Sequence, residues 1–167
     1  MMAGSHMVVG AALWAVTARA AGLDPAEPVA LSAALAGALL PDIDHPQSWA
    51  GRKFRVVSVP LAMVVGHRGI THSLLAVIAG IAALAMMGLN QPMAPLVVGY
   101  LSHLAADGVT PSGVPLLWPS RRRFTLNLCS TGSWIEFALV AVIAALGGWA
   151  AGLDLSALPR PSGWRGL

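Results

Sequence analysis

Five apolar stretches separated by short polar connections dominate the chain: Met7 to Leu23, Val29 to Leu40, Ser73 to Leu89, Pro92 to Ala106 and Ile135 to Leu153. They leave too little polar sequence to clothe a water-facing surface. Charged residues are 10% of the 167 and hydrophobic residues 56%, whereas a soluble domain carries about 25% charged residues. A freely dispersed monomer is excluded on that ground, and disorder is excluded because its signature is the opposite one. The one cysteine, Cys129, rules out an intrachain disulfide and a thiolate zinc cluster. The formal charge of +3 comes from clustered arginines. That pattern suits anionic lipid headgroups better than a nucleic-acid groove, so no nucleic-acid partner is expected. The length predicts a single domain over residues 1–167.

A helix crossing a bilayer needs about 17–25 residues, which the first, third and fifth stretches reach. The second extends backwards if Asp24 is an N-cap, Pro25 the first helical residue and Glu27 the reciprocal capping acid. Asn90 before Pro92 does the same for the fourth. Apolar residues show little preference for one helical face. Small residues recur instead, as in Ala33 to Ala38 and Ala141 to Gly148, the pattern of helices packed closely in lipid. The expected fold is therefore all-α: a polytopic transmembrane bundle of four to five helices, with small-residue faces that permit a homodimer. No basic segment precedes Met1 to Leu23, so a cleavable signal peptide is not expected.

Two connections, Pro41 to Thr71 and Gly108 to Ser133, are rich in Pro, Gly and Arg. Threading five helices in order puts both on one side of the membrane, with the start of the first helix. That side holds seven cations (Arg52, Lys53, Arg55, Arg68, Arg121, Arg122, Arg123), and the other holds Arg19, Arg160 and Arg165. The basic side is the cytoplasmic one. This predicts the N-terminus inside and the C-terminus outside, the latter reversed if one short helix is re-entrant. Trp14, Trp49, Trp118, Trp134, Trp149 and Trp164 read as interface anchors.

The ionisable residues fall on the same threading with a strong bias. His6 precedes the first helix; Asp42, Asp44 and His45 follow the second; His67 and His72 precede the third; His103 and Asp107 close the fourth; Glu136 opens the fifth. All five histidines and four of the seven acids thus share one face, while Asp24, Glu27 and Asp154 lie opposite. His103 and Asp107 are one turn apart on one helical face, so both can reach one metal. Asp42 and Asp44 lie between Pro41 and Pro46, which oppose helix, and in such a turn alternate side chains point the same way. His67 belongs in the loop and His72 in the first turn of the third helix. Imidazole and carboxylate without thiolate suit zinc first, then manganese or iron. Taken singly, each feature has a plainer reading. The Asp turn is a solvated cap, Glu136 a helix-start acid, the arginine triplet a lipid anchor, and Gly4-Ser5-His6-Met7 the scar of tag removal. Jointly they indicate a metal site at one membrane face, because ionisable groups there are expensive and usually functional.

Three motifs carry a family resemblance: Leu39-Leu40-Pro41-Asp42-Ile43-Asp44-His45-Pro46; Gly66-His67-Arg68-Gly69-Ile70-Thr71-His72-Ser73; and Gly99 to Asp107 followed by Thr110 to Pro119. They resemble the YdjM-like family of bacterial inner-membrane proteins, described as metal-dependent hydrolases. The resemblance runs from His6 to about Glu136 and includes a histidine just before the first apolar helix, which favours a native His6. It implies a protein of the bacterial inner membrane; with the threading and the basic-residue bias above, the expected arrangement is multi-pass with the site on the cytoplasmic side. Through that family the chain is distantly similar to zinc-dependent phospholipase C and P1 nuclease, whose HxxxE motif it lacks, Gly132 standing four residues before Glu136.

The function expected from these readings is hydrolysis of a phosphoester in a lipid or lipid-linked substrate by a water activated between two metal ions. His6, Asp42, Asp44, His72, His103 and Asp107 are the expected ligands, with His67 and Glu136 next. Asp44 or His45 would handle protons, and Arg68 would hold a substrate phosphate. Two other classes remain open from sequence. A non-catalytic membrane protein would use a structural or regulatory metal site. A metal or proton transporter would need polar residues near the midplane, where every apolar stretch has none.

Overall fold

The computed structural model describes residues 1–65, 68–120 and 122–153. Among them seven α-helices carry the fold: α1 (Ala3–Ala20), α2 (Pro28–Leu39), α3 (Trp49–Lys53), α4 (Arg55–Val65), α5 (Leu74–Met86), α6 (Met93–Gly108) and α7 (Trp134–Ala150). Two single 3-10 turns, Pro41–Asp44 and Ile70–His72, follow α2 and precede α5. Among the described residues there is no strand, only one antiparallel bridge between Val114 and Phe124. The all-α expectation holds.

The helix starts differ from the sequence reading in two places. Glu27, not Asp24, caps α2: its carboxylate accepts from the N–H groups of Val29 and Ala30 at 3.0 and 2.5 Å, and Pro28 takes the first turn. Asp24 instead closes its own turn by accepting from Ala26 N–H at 2.9 Å. Asn90 caps nothing; α6 begins after Pro92 with no side-chain cap. His72 lies in the 3-10 turn ahead of α5, whose cap is Ser73. The connection Pro41 to Thr71 is not simply a polar loop, because it contains α3 and α4. The run Arg55–Val65 is helical despite Pro60, and Val56, Met63 and Val64 on it are exposed.

Among the described residues no helix is long and apolar enough to cross a membrane. The apolar stretches are cut short by their own caps. Ser73 starts α5 and Gly88, at φ 72°, stops it, leaving 13 residues. That is roughly 20 Å of helix at 1.5 Å per residue, against a hydrocarbon core of about 30 Å. The 18, 16 and 17 residues of α1, α6 and α7 each include ionisable residues at one end, His6, His103 with Asp107, and Glu136.

The packed centre is made by α1, α2, α6 and α7. Close approach replaces bulk there. A Cβ at Gly37 would collide with the carbonyl of Leu96, one at Gly99 with the carbonyl of Ala34, and one at Gly147 with Ala12. Trp14 is buried in this packing beside Ala18 and Ala34, so it is a core residue and not an interface anchor. Trp49, Trp118, Trp134 and Trp149 are exposed as anchors would be, and Trp164 lies outside the described residues. The exterior carries large exposed apolar side chains on α4, α5 and α7, including Ile78, Met86, Phe137 and Leu146. A soluble bundle would present charges on those faces.

Candidate metal centre

Helix direction alternates through the fold, so the start of α1, the end of α2, the start of α5 and the end of α6 meet at one end. His6, Asp44, His72, His103 and Asp107 are all buried there, with Asp42 partly exposed at the rim. His72, His103 and Asp107 form one triad of converging donors, with Asp42 beside it. Asp42 Oδ1 lies 3.9 Å from His72 Nε2 and 3.7 Å from His103 Nε2. Asp107 Oδ2 lies 3.8 Å from each of the same two nitrogens. Ligands of a tetrahedral ion bonded at about 2.0 Å are separated by roughly 3.3 Å, so each of these four separations is about half an ångström wider than that.

The tautomers are set from behind. His103 Nδ1 lies 2.7 Å from the carbonyl oxygen of Ala38. A carbonyl only accepts, so Nδ1 carries the proton and Nε2 turns a lone pair toward the carboxylates. That nitrogen is buried without a hydrogen-bond partner among the described residues. A neutral imidazole's lone pair facing two carboxylate oxygens is repulsive, and a divalent ion between them removes that repulsion, so the donor set fits such an ion. His72 Nδ1 is backed in the same way by Asp44 Oδ2 at 3.3 Å and by Thr71 Oγ1 at 3.1 Å. Asp44 is itself held by the hydroxyl of Thr71 and by the backbone N–H of Arg68 at 3.0 Å. It occupies the position of an outer carboxylate that fixes a ligating imidazole.

His6 stacks on His103, ring centroids 3.8 Å apart, and its Nε2 is 3.3 Å from Asp107 Oδ1. With Asp42 and His103 it forms a second triad of converging donors. The two triads share His103, whose one free nitrogen can bind a single ion. The same Asp107 oxygen accepts the Met1 ammonium at 2.7 Å. Arg68 is mostly buried; its guanidinium lies 2.7 Å from Asp107 Oδ2 and donates to the Gly113 carbonyl at 3.4 Å.

Glu136 is buried beside this cluster but turned to another task. Its carboxylate accepts from Met2 N–H at 2.9 Å, Ser5 O–H at 2.5 Å and Gly132 N–H at 2.8 Å, tying the start of α1 to the start of α7. Among the described residues neither triad of donors includes Glu136, Asp44 or His45. His45 is half-buried after the Pro41–Asp44 turn, and His67 lies outside the described residues. The outer partners Thr71, Ala38 and Ser5 carry no chemical signal in sequence, since they act through a backbone oxygen or a common hydroxyl and only the packing selects them.

The sequence matches the family model described as YdjM inner membrane protein over residues 1–161. It is 50% identical over 99 residues to the inner membrane protein YdjM of Escherichia coli (strain K12), covering 54% of this chain and 49% of that one. The same figures hold for the YdjM protein of Shigella flexneri. It is 38% identical over 145 residues to the uncharacterized protein YvsG of Bacillus subtilis (strain 168), covering 82% and 86%. The chain spans about half the length of the two YdjM proteins it matches. No solved structure matches it.

Proposed function

The chain belongs to the YdjM inner membrane protein family, and on that premise we propose that it is a membrane-embedded metal-dependent hydrolase acting on a phosphoester of a lipid or lipid-linked molecule. Its location in this reading is the bacterial inner membrane, multi-pass, with the site at the cytoplasmic face. The observation that carries the proposal is the buried Nε2 of His103, tautomer set by Ala38, facing the carboxylates of Asp42 and Asp107. Asp42, His72, His103 and Asp107 would hold one divalent ion, zinc by donor type. A second ion would need donors other than His103 Nε2. When bound, the ion supplies a Lewis acid for the phosphoryl oxygen and lowers the pKa of water.

The chain's own residues do the rest. Asp44 and Ala38 hold the two imidazoles with Nε2 inward, so no reorganisation is needed when a substrate arrives. Arg68 brings a cationic side chain to the edge of the donor set and is placed to move from Asp107 to a substrate phosphate. His45, next in the chain after the turn, is the proton carrier in this reading. An apolar cleft of about 220 Å³ between α2, α5 and α6 is lined in part by Thr71, which donates to Asp44, and by Tyr100, which donates to the Thr71 carbonyl. Leu40, Ile43, Val77 and Val97 line it, which supports a substrate with a hydrocarbon chain.

The test is elemental analysis of detergent-purified protein beside hydrolysis assays on phospholipids and lipid-linked phosphates. One ion per chain and turnover, both lost in His103→Ala, support the reading. Stoichiometric metal without turnover on any phosphoester would leave a metal site with a structural task and end the hydrolase proposal.

A further inference from the structure

On the face of α6 opposite His103 and Asp107 runs a second groove of about 550 Å³, lined by Leu74, Leu101, Ala105, Leu116, Phe124 and Leu126. Its volume is that of a small-molecule site. It opens outward: Leu101 is 41% exposed, Phe124 43% and Leu126 68%. Its wall is mostly apolar; the hydroxyl of its one polar side chain, Thr125, is taken up by the Thr110 carbonyl at 2.6 Å and the Asn127 N–H at 3.0 Å, and much of the backbone is paired. Val114 and Phe124 exchange N–H to carbonyl bonds at 3.0 and 2.9 Å, Leu126 N–H donates to Gly108 at 2.8 Å and Leu74 N–H to Leu116 at 3.0 Å. A hydrocarbon occupant suits this length.

Its rim is charged. Arg122 and Arg123 immediately precede Phe124, and both are exposed. Arg123 Nη1 donates to the Ser112 carbonyl at 3.1 Å, which holds its guanidinium beside the Val114 end of the wall. Among the described residues neither arginine makes an ion pair. We propose that this groove binds one anionic phospholipid, with an acyl chain along α6 and the headgroup phosphate on Arg122 and Arg123. A zwitterionic lipid offers the same phosphate but brings an ammonium that the two guanidiniums repel, so net charge favours the anionic headgroup. An anionic lipid matches both the dry wall and the positive rim. The site is separate from the donor set and does not depend on hydrolysis.

The experiment is native mass spectrometry of the full chain in mild detergent, with dioleoyl phosphatidylglycerol or dioleoyl phosphatidylethanolamine added at equal concentration. Phosphatidylglycerol is expected to be retained at least about tenfold better, and Arg122→Gln and Arg123→Gln should each weaken it by roughly fivefold. Ala105→Trp fills the groove from an exposed position on α6 and should remove binding of both lipids, and Leu126→Gln should weaken it. The melting temperature of each variant checks its fold. Equal retention of the two lipids, or a preference untouched by the arginine variants, overturns the site. A preference lost with the arginines but unaffected by Ala105→Trp and Leu126→Gln overturns the groove. So does a dimer that Ala105→Trp converts to monomer without changing lipid retention.

Discussion

The guanidinium of Arg68 meets the carboxylate of Asp107 at 2.7 Å through the oxygen that also faces Nε2 of His72 and His103 at 3.8 Å. A cationic side chain and an ion therefore share one acceptor. Arg68 is kept there by an unusual backbone, φ 56°, and by its N–H bond to Asp44. Arg68→Gln should keep bound metal at the wild-type level while hydrolysis falls about 10²-fold, the effect of removing one charge-stabilising donor. Metal analysis and initial rates on the same preparation check this. Loss of metal would make Arg68 a structural member of the cluster.

Removing a donor has a different signature. His103→Ala and Asp42→Asn should each reduce metal content to well below half of wild type, measured by inductively coupled plasma mass spectrometry. Asp24→Asn should leave it unchanged, because Asp24 closes only its own turn at the far end of α2.

Asp44→Asn preserves shape but weakens the acceptor behind His72 Nδ1. Metal affinity is expected to drop about 10–100-fold, the usual effect of an outer-partner change, read by competition with a chelator of known affinity. A complete loss of metal, equal to that of His103→Ala, would make Asp44 a direct ligand, as its place in the sequence suggests.

Glu136→Ala tests the same distinction for the last acid. It leaves the N–H groups of the exposed Met2 and Gly132 and the hydroxyl of the buried Ser5 without their acceptor, and for Ser5 an unmet buried donor costs about 1–3 kcal/mol. The melting temperature should fall while metal content stays at one ion per chain. Metal loss with an unchanged melting temperature would reverse that assignment.

Packing is tested by two glycines. Gly99→Ala drives a methyl into the Ala34 carbonyl and should destabilise by about 1–3 kcal/mol, as overpacking does. An added Cβ at Gly80 on α5 meets nothing within 4 Å, so Gly80→Ala should stabilise by about 0.5–1 kcal/mol through helix propensity. Thermal unfolding of both in one detergent gives the comparison.

The gathering of His6, Asp42, His72, His103 and Asp107 at one end is legible from sequence because successive helices reverse direction, so polar residues at alternating ends must meet. Which carboxylate of the Asp42-Ile43-Asp44 turn faces inward is not legible. A 3-10 turn separates neighbours by about a third of a revolution, and the choice follows from how α6 and the Ile70–His72 turn pack on it. The start of α2 is ambiguous in sequence because Asp24-Pro25 and Glu27-Pro28 offer the same cap chemistry; the fold uses Glu27 for the helix and Asp24 for the turn before it. The helix α4 is hidden by Pro60 and by the arginines around it. Trp14 has the residue type of an anchor, but small residues at Ala18 and Ala34 open a socket for it.

The Ala38 carbonyl that holds His103 belongs to the stretch where Gly37 and Gly99 allow α2 and α6 to touch. Proton placement at the cluster is consequently dictated by how near two helix backbones can come. A methyl group added a turn away, touching none of the donor side chains, would pull the acceptor back and let the ring turn over. In this chain the acid–base identity of a histidine is a dimension of the scaffold, and a substitution scored as a packing defect will also register as a change in chemistry.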